Sequence, residues 1–204
     1  MFEVWGVTGV MGSGKSTAMK IIGSLGYPGI DADQVSRIVV DKKREEGKKG
    51  FEAIYRAFGS KVLNSLGELD RPALRRRMMT NPEDRKVLES ILHPLIIEYI
   101  TKTMTTWKSS GTKLAFIEGT RLIESGFHSM LAGIIMVSAK EDQLIKRVIK
   151  RDSMGKDEVT QMIRLQDASL MKRVAKHEWK NEGSETALQK VIEAFIETRL
   201  KAEK

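Results

Sequence analysis

The sequence predicts an α/β fold: a parallel β-sheet flanked by helices, with a helical insertion and a lid. Three observations lead there. Short apolar, β-branched stretches alternate with helical ones along the chain. A glycine-rich octapeptide, Gly9-Val10-Met11-Gly12-Ser13-Gly14-Lys15-Ser16, joins the first strand-like stretch to the first helical one. Between the second and third strand-like stretches, residues 48–110 carry helix signals only.

Val4–Thr8 is the first predicted strand, and Thr17-Ala18-Met19-Lys20-Ile21-Ile22 continues a helix that starts at Lys15. The octapeptide between them has the spacing G-x-x-x-x-G-K-[ST]. A phosphate chain needs convergent backbone N–H groups with no side chains in the way, which the glycines permit. The helix N-terminus adds unpaired donors and partial positive charge. Lys15 is placed to reach the β- and γ-phosphates, and the Ser16 hydroxyl to bind Mg²⁺. The motif in this context implies a bound nucleoside triphosphate.

The second strand, Gly29–Ile30, leads into Asp31-Ala32-Asp33. A carboxylate there can orient and deprotonate an acceptor hydroxyl, or hold Mg²⁺ through water. Asp33 can equally cap the helix that follows. In the insertion, Pro72 follows Glu68 and Asp70, and Asn81-Pro82 marks another helix start. So long an insertion suggests a helical subdomain over the carboxyl ends of the strands, where open α/β sheets bind ligands.

The third strand, Leu114–Glu118, ends on an acid suited to hold Mg²⁺ through water, and Arg121 follows on the loop. Arg121 can meet a substrate phosphate. After the fourth strand, Ile134–Ser138, a helix from Glu141 carries Arg147 and Arg151 four residues apart on one face. On a lid over 146–165, two guanidinium groups can neutralise charge on a transferred phosphoryl group. A last helix runs from Ser184, with Leu188, Val191, Ile192, Phe195 and Ile196 forming its apolar stripe.

The remaining sequence mostly excludes. At 204 residues, 41% hydrophobic and 30% charged, the chain reads as one globular domain with an insertion. No apolar run approaches the roughly 20 residues of a membrane span. The first apolar stretch runs straight into the octapeptide, so no signal peptide is expected and a cytoplasmic location is. Cysteine is absent, which excludes disulfides and thiolate metal sites. The three histidines show no metal-ligand spacing, and His93, beside Pro94, suits a structural role. A net charge of +8 suits an anionic partner. Its basic runs, Lys42-Lys43-Arg44, Lys48-Lys49 and Arg75-Arg76-Arg77, have no interleaved aromatic residues, so nucleic acid is not the expected partner.

Taken together, these stretches resemble the dephospho-CoA kinase family of P-loop kinases. The resemblance rests on Val7-Thr8-Gly9 with the phosphate loop, Ile30-Asp31-Ala32-Asp33, the run Gly67–Arg75 and Leu92-His93-Pro94-Leu95-Ile96. Arg147, Lys150-Arg151-Asp152 and Gln166 fall where the family carries its lid and next helix, and Asn181 with Gly183-Ser184 near its adenine loop. It implies a P-loop kinase core over 1–47 and 111–204, with a CoA-binding subdomain over 48–110. The reaction implied is ATP plus dephospho-CoA giving ADP and CoA, with Mg²⁺ and no membrane, in a monomer or weak homo-oligomer.

The resemblance also distributes roles. Gly12, Ser13, Gly14, Lys15, Ser16, Thr17, Arg147, Arg151 and Asn181 would bind ATP. Thr8, Asp31, Asp33, Arg71, His93 and Arg121 would face the acceptor. Asp33 would be the general base, assisted by Lys15 and Arg147, and Ser16 and Glu118 the metal partners. Two departures stand out. Glu118-Gly119-Thr120-Arg121-Leu122-Ile123-Glu124 occupies the place of the family's Asp-x-Pro-Leu-Leu-Phe-Glu, and Lys176 replaces an Asp before the adenine loop. These departures leave a nucleoside monophosphate acceptor open, and a non-catalytic ATP-binding switch is a second, separate alternative.

Overall fold

A computed structural model of the chain describes residues 2–201. In chain order its elements are β1 (Glu3–Thr8), α1 (Lys15–Ser24), β2 (Gly29–Asp31), α2 (Ala32–Ile38), α3 (Glu45–Phe58), α4 (Arg71–Thr80), α5 (Pro82–Ser109) and β3 (Leu114–Glu118). There follow β4 (Gly133–Ser138), α6 (Glu141–Asp152), α7 (Lys156–Arg164), α8 (Ala168–Val174), β5 (His177–Lys180) and α9 (Glu185–Lys201). The chain divides into two compact units: residues up to Asp31 and from Trp107 onward form one, and Ala32–Thr106 the other.

The first unit is built on a five-stranded parallel sheet in the order β2-β3-β1-β4-β5. Alternation along the strands sends Trp5, Val7, Leu114, Phe116, Ile135, Val137 and Trp179 to one face. There they meet Ala18, Ile21 and Ile22 of α1 and Leu188, Ile192, Phe195 and Ile196 of α9. Phe195 sits edge-on to Trp5 and Trp179, with ring centroids 5.1 and 5.5 Å apart. Each such pair adds about 0.5–1.5 kcal/mol beyond area burial. On the opposite face α8 packs against β4, and Leu122 and Leu131 lie over Gly6.

The predicted strands recur within a residue or so, but the sheet has a fifth. The sequence pattern yields no strand at His177–Lys180, because His-Glu-Trp-Lys is polar and only Trp179 is buried. As an edge strand, β5 needs one apolar anchor and the β4 ladder. A second difference concerns Asp33. α2 begins at Ala32, so Asp33 lies inside the first helical turn and does not occupy the cap position before it.

The second unit is helical. α3 buries Gly47, Gly50, Ile54 and Phe58, and Gly50 lets the helix approach the Val39 carbonyl: a Cβ there would stand 2.0 Å from its oxygen. Asp70 caps α4, its Oδ1 accepting the Ala73 N–H at 2.9 Å with Pro72 in the first turn. The insertion is not helical throughout, since Leu63 and Leu69 form an antiparallel bridge around the Gly67 turn. Its basic runs are largely paired: Lys43 with Glu68, Lys48 with Glu45 and Arg77 with Asp84. Lys42 donates to the Gly67 carbonyl at 2.7 Å.

Candidate active site

The octapeptide turns between β1 and the N-terminus of α1, at the carboxyl edge of the sheet. α1 has no acidic residue in its first turn, so no carboxylate of its own offsets the positive end of the helix dipole. Two glycines show how tightly the loop is packed. Gly12 has φ +80°, and a Cβ there would lie 2.7 Å from the Leu144 carbonyl oxygen of α6. Gly14 has φ +100°, and its Cβ would lie 2.0 Å from Asn181 Nδ2. A side chain is strained at both positions, by the positive φ and by the Leu144 backbone at Gly12 and the Asn181 side chain at Gly14.

Several side chains hold the loop. Asn181 donates its Nδ2–H to the Ser13 carbonyl at 2.8 Å and is only 8% exposed. Arg147 donates Nη2–H to the Asn181 carbonyl at 2.8 Å and Nη1–H to the Gly12 carbonyl at 3.3 Å. Gln166 accepts the Met11 N–H at 2.9 Å. Lys15 Nζ donates to the Gly9 carbonyl at 2.8 Å, so the ammonium lies along the loop.

The structure brings together the two predicted metal partners. Ser16 Oγ donates to Glu118 Oε1 at 3.3 Å. Asp31 is the register partner of Glu118 across the β2–β3 ladder, which sets two carboxylate-bearing positions side by side at the end of the sheet. A hydroxyl beside a buried carboxylate is a set of hard oxygen donors, the type a phosphate-bound divalent cation takes. Among the described residues no group of three or more acidic, histidine or cysteine side chains forms a metal cage.

The other predicted residues fall into different settings. Thr8 is wholly buried at the end of β1, with no partner for its hydroxyl among the described residues. Arg147 and Arg151 share α6 but differ in what they hold. Whereas Arg147 grips the loop, Arg151 makes two 2.7 Å bonds to the Asp152 carboxylate. That pairing holds the Asp152 carboxyl below its ordinary range and raises Arg151. Arg121 is exposed on the loop after β3, while its neighbours Leu122 and Ile123 are buried.

In the helical unit Asp33 lies in the first turn of α2, and His93 is part of α5 beside Pro94. Arg71 opens α4 and donates to the Arg37 carbonyl at 3.3 Å. Burial and then the Arg37 charge lower its pKa.

A family model described as dephospho-CoA kinase matches residues 3–198 of this chain. The chain belongs to the dephospho-CoA kinase family. A dephospho-CoA kinase of Bacillus cereus strain ZK is 34% identical over 166 residues, covering 81% of each chain. That of Halalkalibacterium halodurans is 35% identical over 161 residues, covering 79% of this chain and 78% of the relative. The solved structure of a dephospho-CoA kinase from Campylobacter jejuni superposes with a TM-score of 0.73 at 26% identity, covering 100% of both chains.

Within this dephospho-CoA kinase family member, the two stretches singled out in the sequence lie in different settings. Lys176 lies at the amino end of β5, its N–H bonded to the Ile134 carbonyl. Its ammonium donates to the Ala132 carbonyl at 2.7 Å and sits 5.9 Å from the Trp5 ring centroid. Lys176 is thus built into the packing at the far end of the sheet from the loop. In the Glu118–Glu124 stretch Leu122 and Ile123 are buried, whereas Thr120 is half-buried and Arg121 exposed.

Proposed function

We propose that the protein transfers the γ-phosphoryl group of ATP to the ribose 3′-hydroxyl of dephospho-CoA, giving ADP and CoA. The observation that carries this reading is the family match over residues 3–198, in a chain whose phosphate loop is complete and braced. In the transfer, the bond from the γ-phosphorus to the β,γ-bridging oxygen breaks as one to the acceptor oxygen forms. The hydroxyl proton passes to a base. No comparison favours a nucleoside monophosphate acceptor or a non-catalytic switch.

Loop N–H groups from Gly12 to Thr17 would bind the phosphates, and Lys15 would swing from the Gly9 carbonyl to the β- and γ-phosphates. Mg²⁺ would be held by Ser16 directly and by Glu118 through water, and would neutralise charge on the β,γ-oxygens. Asp33 is our candidate base. Chain connectivity supports it: Asp31, register partner of Glu118, stands two residues before it. We assign acceptor recognition to the helical unit, with Arg121 added as a loop residue able to meet an acceptor phosphate. Segment 146–165 is assigned as the lid, with Arg151 on the phosphates and Arg147 and Asn181 shaping the ATP site. No helix among the described residues is long and apolar enough to cross a membrane, and a cytoplasmic enzyme is the reading we adopt.

The test is ADP formation from ATP with dephospho-CoA, compared with a panel of nucleoside monophosphates. Rapid turnover with dephospho-CoA is expected. Turnover confined to a monophosphate would overturn the acceptor assignment.

A further inference from the structure

Met11 lies within the phosphate loop, yet the acceptor for its N–H comes from Gln166, 155 residues further along the chain. The Gln166 amide is engaged at both ends. Its Oε1 accepts from Met11 at 2.9 Å, and its Nε2 donates to the Met162 carbonyl at 3.3 Å. The backbone that carries it is equally fixed. Gln166 N–H bonds the Ile163 carbonyl at 3.1 Å at the end of α7, and its own carbonyl accepts Ala168 N–H at 2.9 Å as α8 begins. α7 in turn buries Val159 and Ile163 and packs against α6.

The loop is therefore held at two places. Arg147 and Asn181 fix the Gly12 and Ser13 carbonyls, and Gln166 fixes the Met11 peptide just before them. A peptide plane is rigid, so setting the Met11 N–H also limits the direction in which the chain enters Gly12. The amides that follow are the ones a triphosphate meets.

We infer that Gln166 is a positioning residue for ATP, acting through the Met11 amide to keep the loop in its phosphate-receiving shape and tying the end of α7 to it. The inference rests on the ATP-dependent reading of the site but not on the identity of the acceptor. Loss of a single neutral hydrogen bond of this type weakens ATP binding roughly three- to tenfold.

The test uses the full chain with two substitutions. Gln166→Met keeps the length and removes the acceptor, whereas Gln166→Glu keeps an acceptor oxygen. Measurements are the Kd for ATP without acceptor, KM for each substrate, and hydrogen exchange of the Met11 amide. Gln166→Met is expected to raise the ATP Kd and KM about three- to tenfold, with KM for dephospho-CoA unchanged and the Met11 amide deprotected. Gln166→Glu is expected to restore that protection.

Unchanged ATP affinity in Gln166→Met, or equal rises in both KM values, would overturn the inference. If Gln166→Met fails to fold, the wild-type chain decides by itself: a Met11 amide that exchanges like an exposed loop amide refutes the tether. A wrong acceptor assignment would show separately, as intact ATP binding without turnover of dephospho-CoA.

Discussion

The side-chain amide of Asn181 donates to the Ser13 carbonyl at 2.8 Å, while the Asn181 backbone carbonyl accepts the Arg147 guanidinium. One residue thus links the edge of the sheet, helix α6 and the phosphate loop. Replacing it by Ala removes a buried hydrogen bond and leaves the Ser13 carbonyl without that donor, at a cost of about 1–3 kcal/mol. Asn181→Asp is expected to be worse, because it sets a buried carboxylate oxygen against a carbonyl oxygen. Urea unfolding should rank the proteins wild type, Asn181→Ala, Asn181→Asp. The opposite order of the two variants would show that the amide is not the donor that matters.

The same contact makes Gly14 a stringent position. Gly14→Ala meets both a left-handed backbone and Asn181 Nδ2 at 2.0 Å from the new Cβ. Combining it with Asn181→Ala relieves the collision but not the backbone cost, which is on the order of 1–2 kcal/mol. The double variant should therefore be more stable than the sum of the single losses implies, yet less stable than wild type. Strict additivity in a double-mutant cycle would mean that the two residues do not collide.

Much of this site was legible because its signals are local. G-x-x-x-x-G-K-S fixes a strand-loop-helix around one short stretch of chain, and Leu114–Glu118 announces a buried strand ending in an acid. The Ser16–Glu118 contact forms because strand and loop end at the same edge of the sheet. The braces did not show in the sequence. Arg147 reads as a phosphate-facing lid cation, yet here it donates to loop carbonyls, and only the fold brings α6 against Gly12. The family resemblance marks Gln166 beside the lid, but no spacing reveals its partner, a backbone amide 155 residues away. β5 stayed hidden because an edge strand with one buried residue has no apolar run to detect.

Lys15→Ala is expected to lower kcat by on the order of 10²-fold or more, the loss typical of a charged group that stabilises the transferred phosphoryl oxygens. Its bonds to the Gly9 and Val10 carbonyls are local to the loop. Thermal unfolding without nucleotide should stay close to wild type while turnover collapses. A variant that keeps near-normal kcat would remove Lys15 from the chemistry.

Asp33→Asn separates base from scaffold. The backbone carbonyl of Asp33 accepts the Ser36 hydroxyl at 2.7 Å, and that bond survives the substitution. A general base contributes roughly 10²–10⁴-fold, so transfer to dephospho-CoA should fall by that order while ATP affinity persists. Single-turnover kinetics with saturating ATP would read it directly. Full activity in Asp33→Asn would exclude the carboxylate as base.

His177 predicts how stability responds to pH. Its ring stacks edge-on against Trp5 and Phe195, with centroids 5.3 and 5.0 Å away. Burial, then the Arg199 and Lys176 charges, push its pKa below the ordinary value of 6.5. The unfolded chain therefore binds the proton more readily than the folded one, and the neutral ring favours the fold. That contribution is fully present above pH 6.5 and is lost as pH falls through 6.5 toward the lowered value. The effect is modest because much of the residue remains in contact with solvent. Urea unfolding at pH 8 and pH 5 should show a larger loss of stability in wild type than in His177→Leu, which has no proton to gain. Equal losses in the two proteins would place the acid sensitivity elsewhere in the fold.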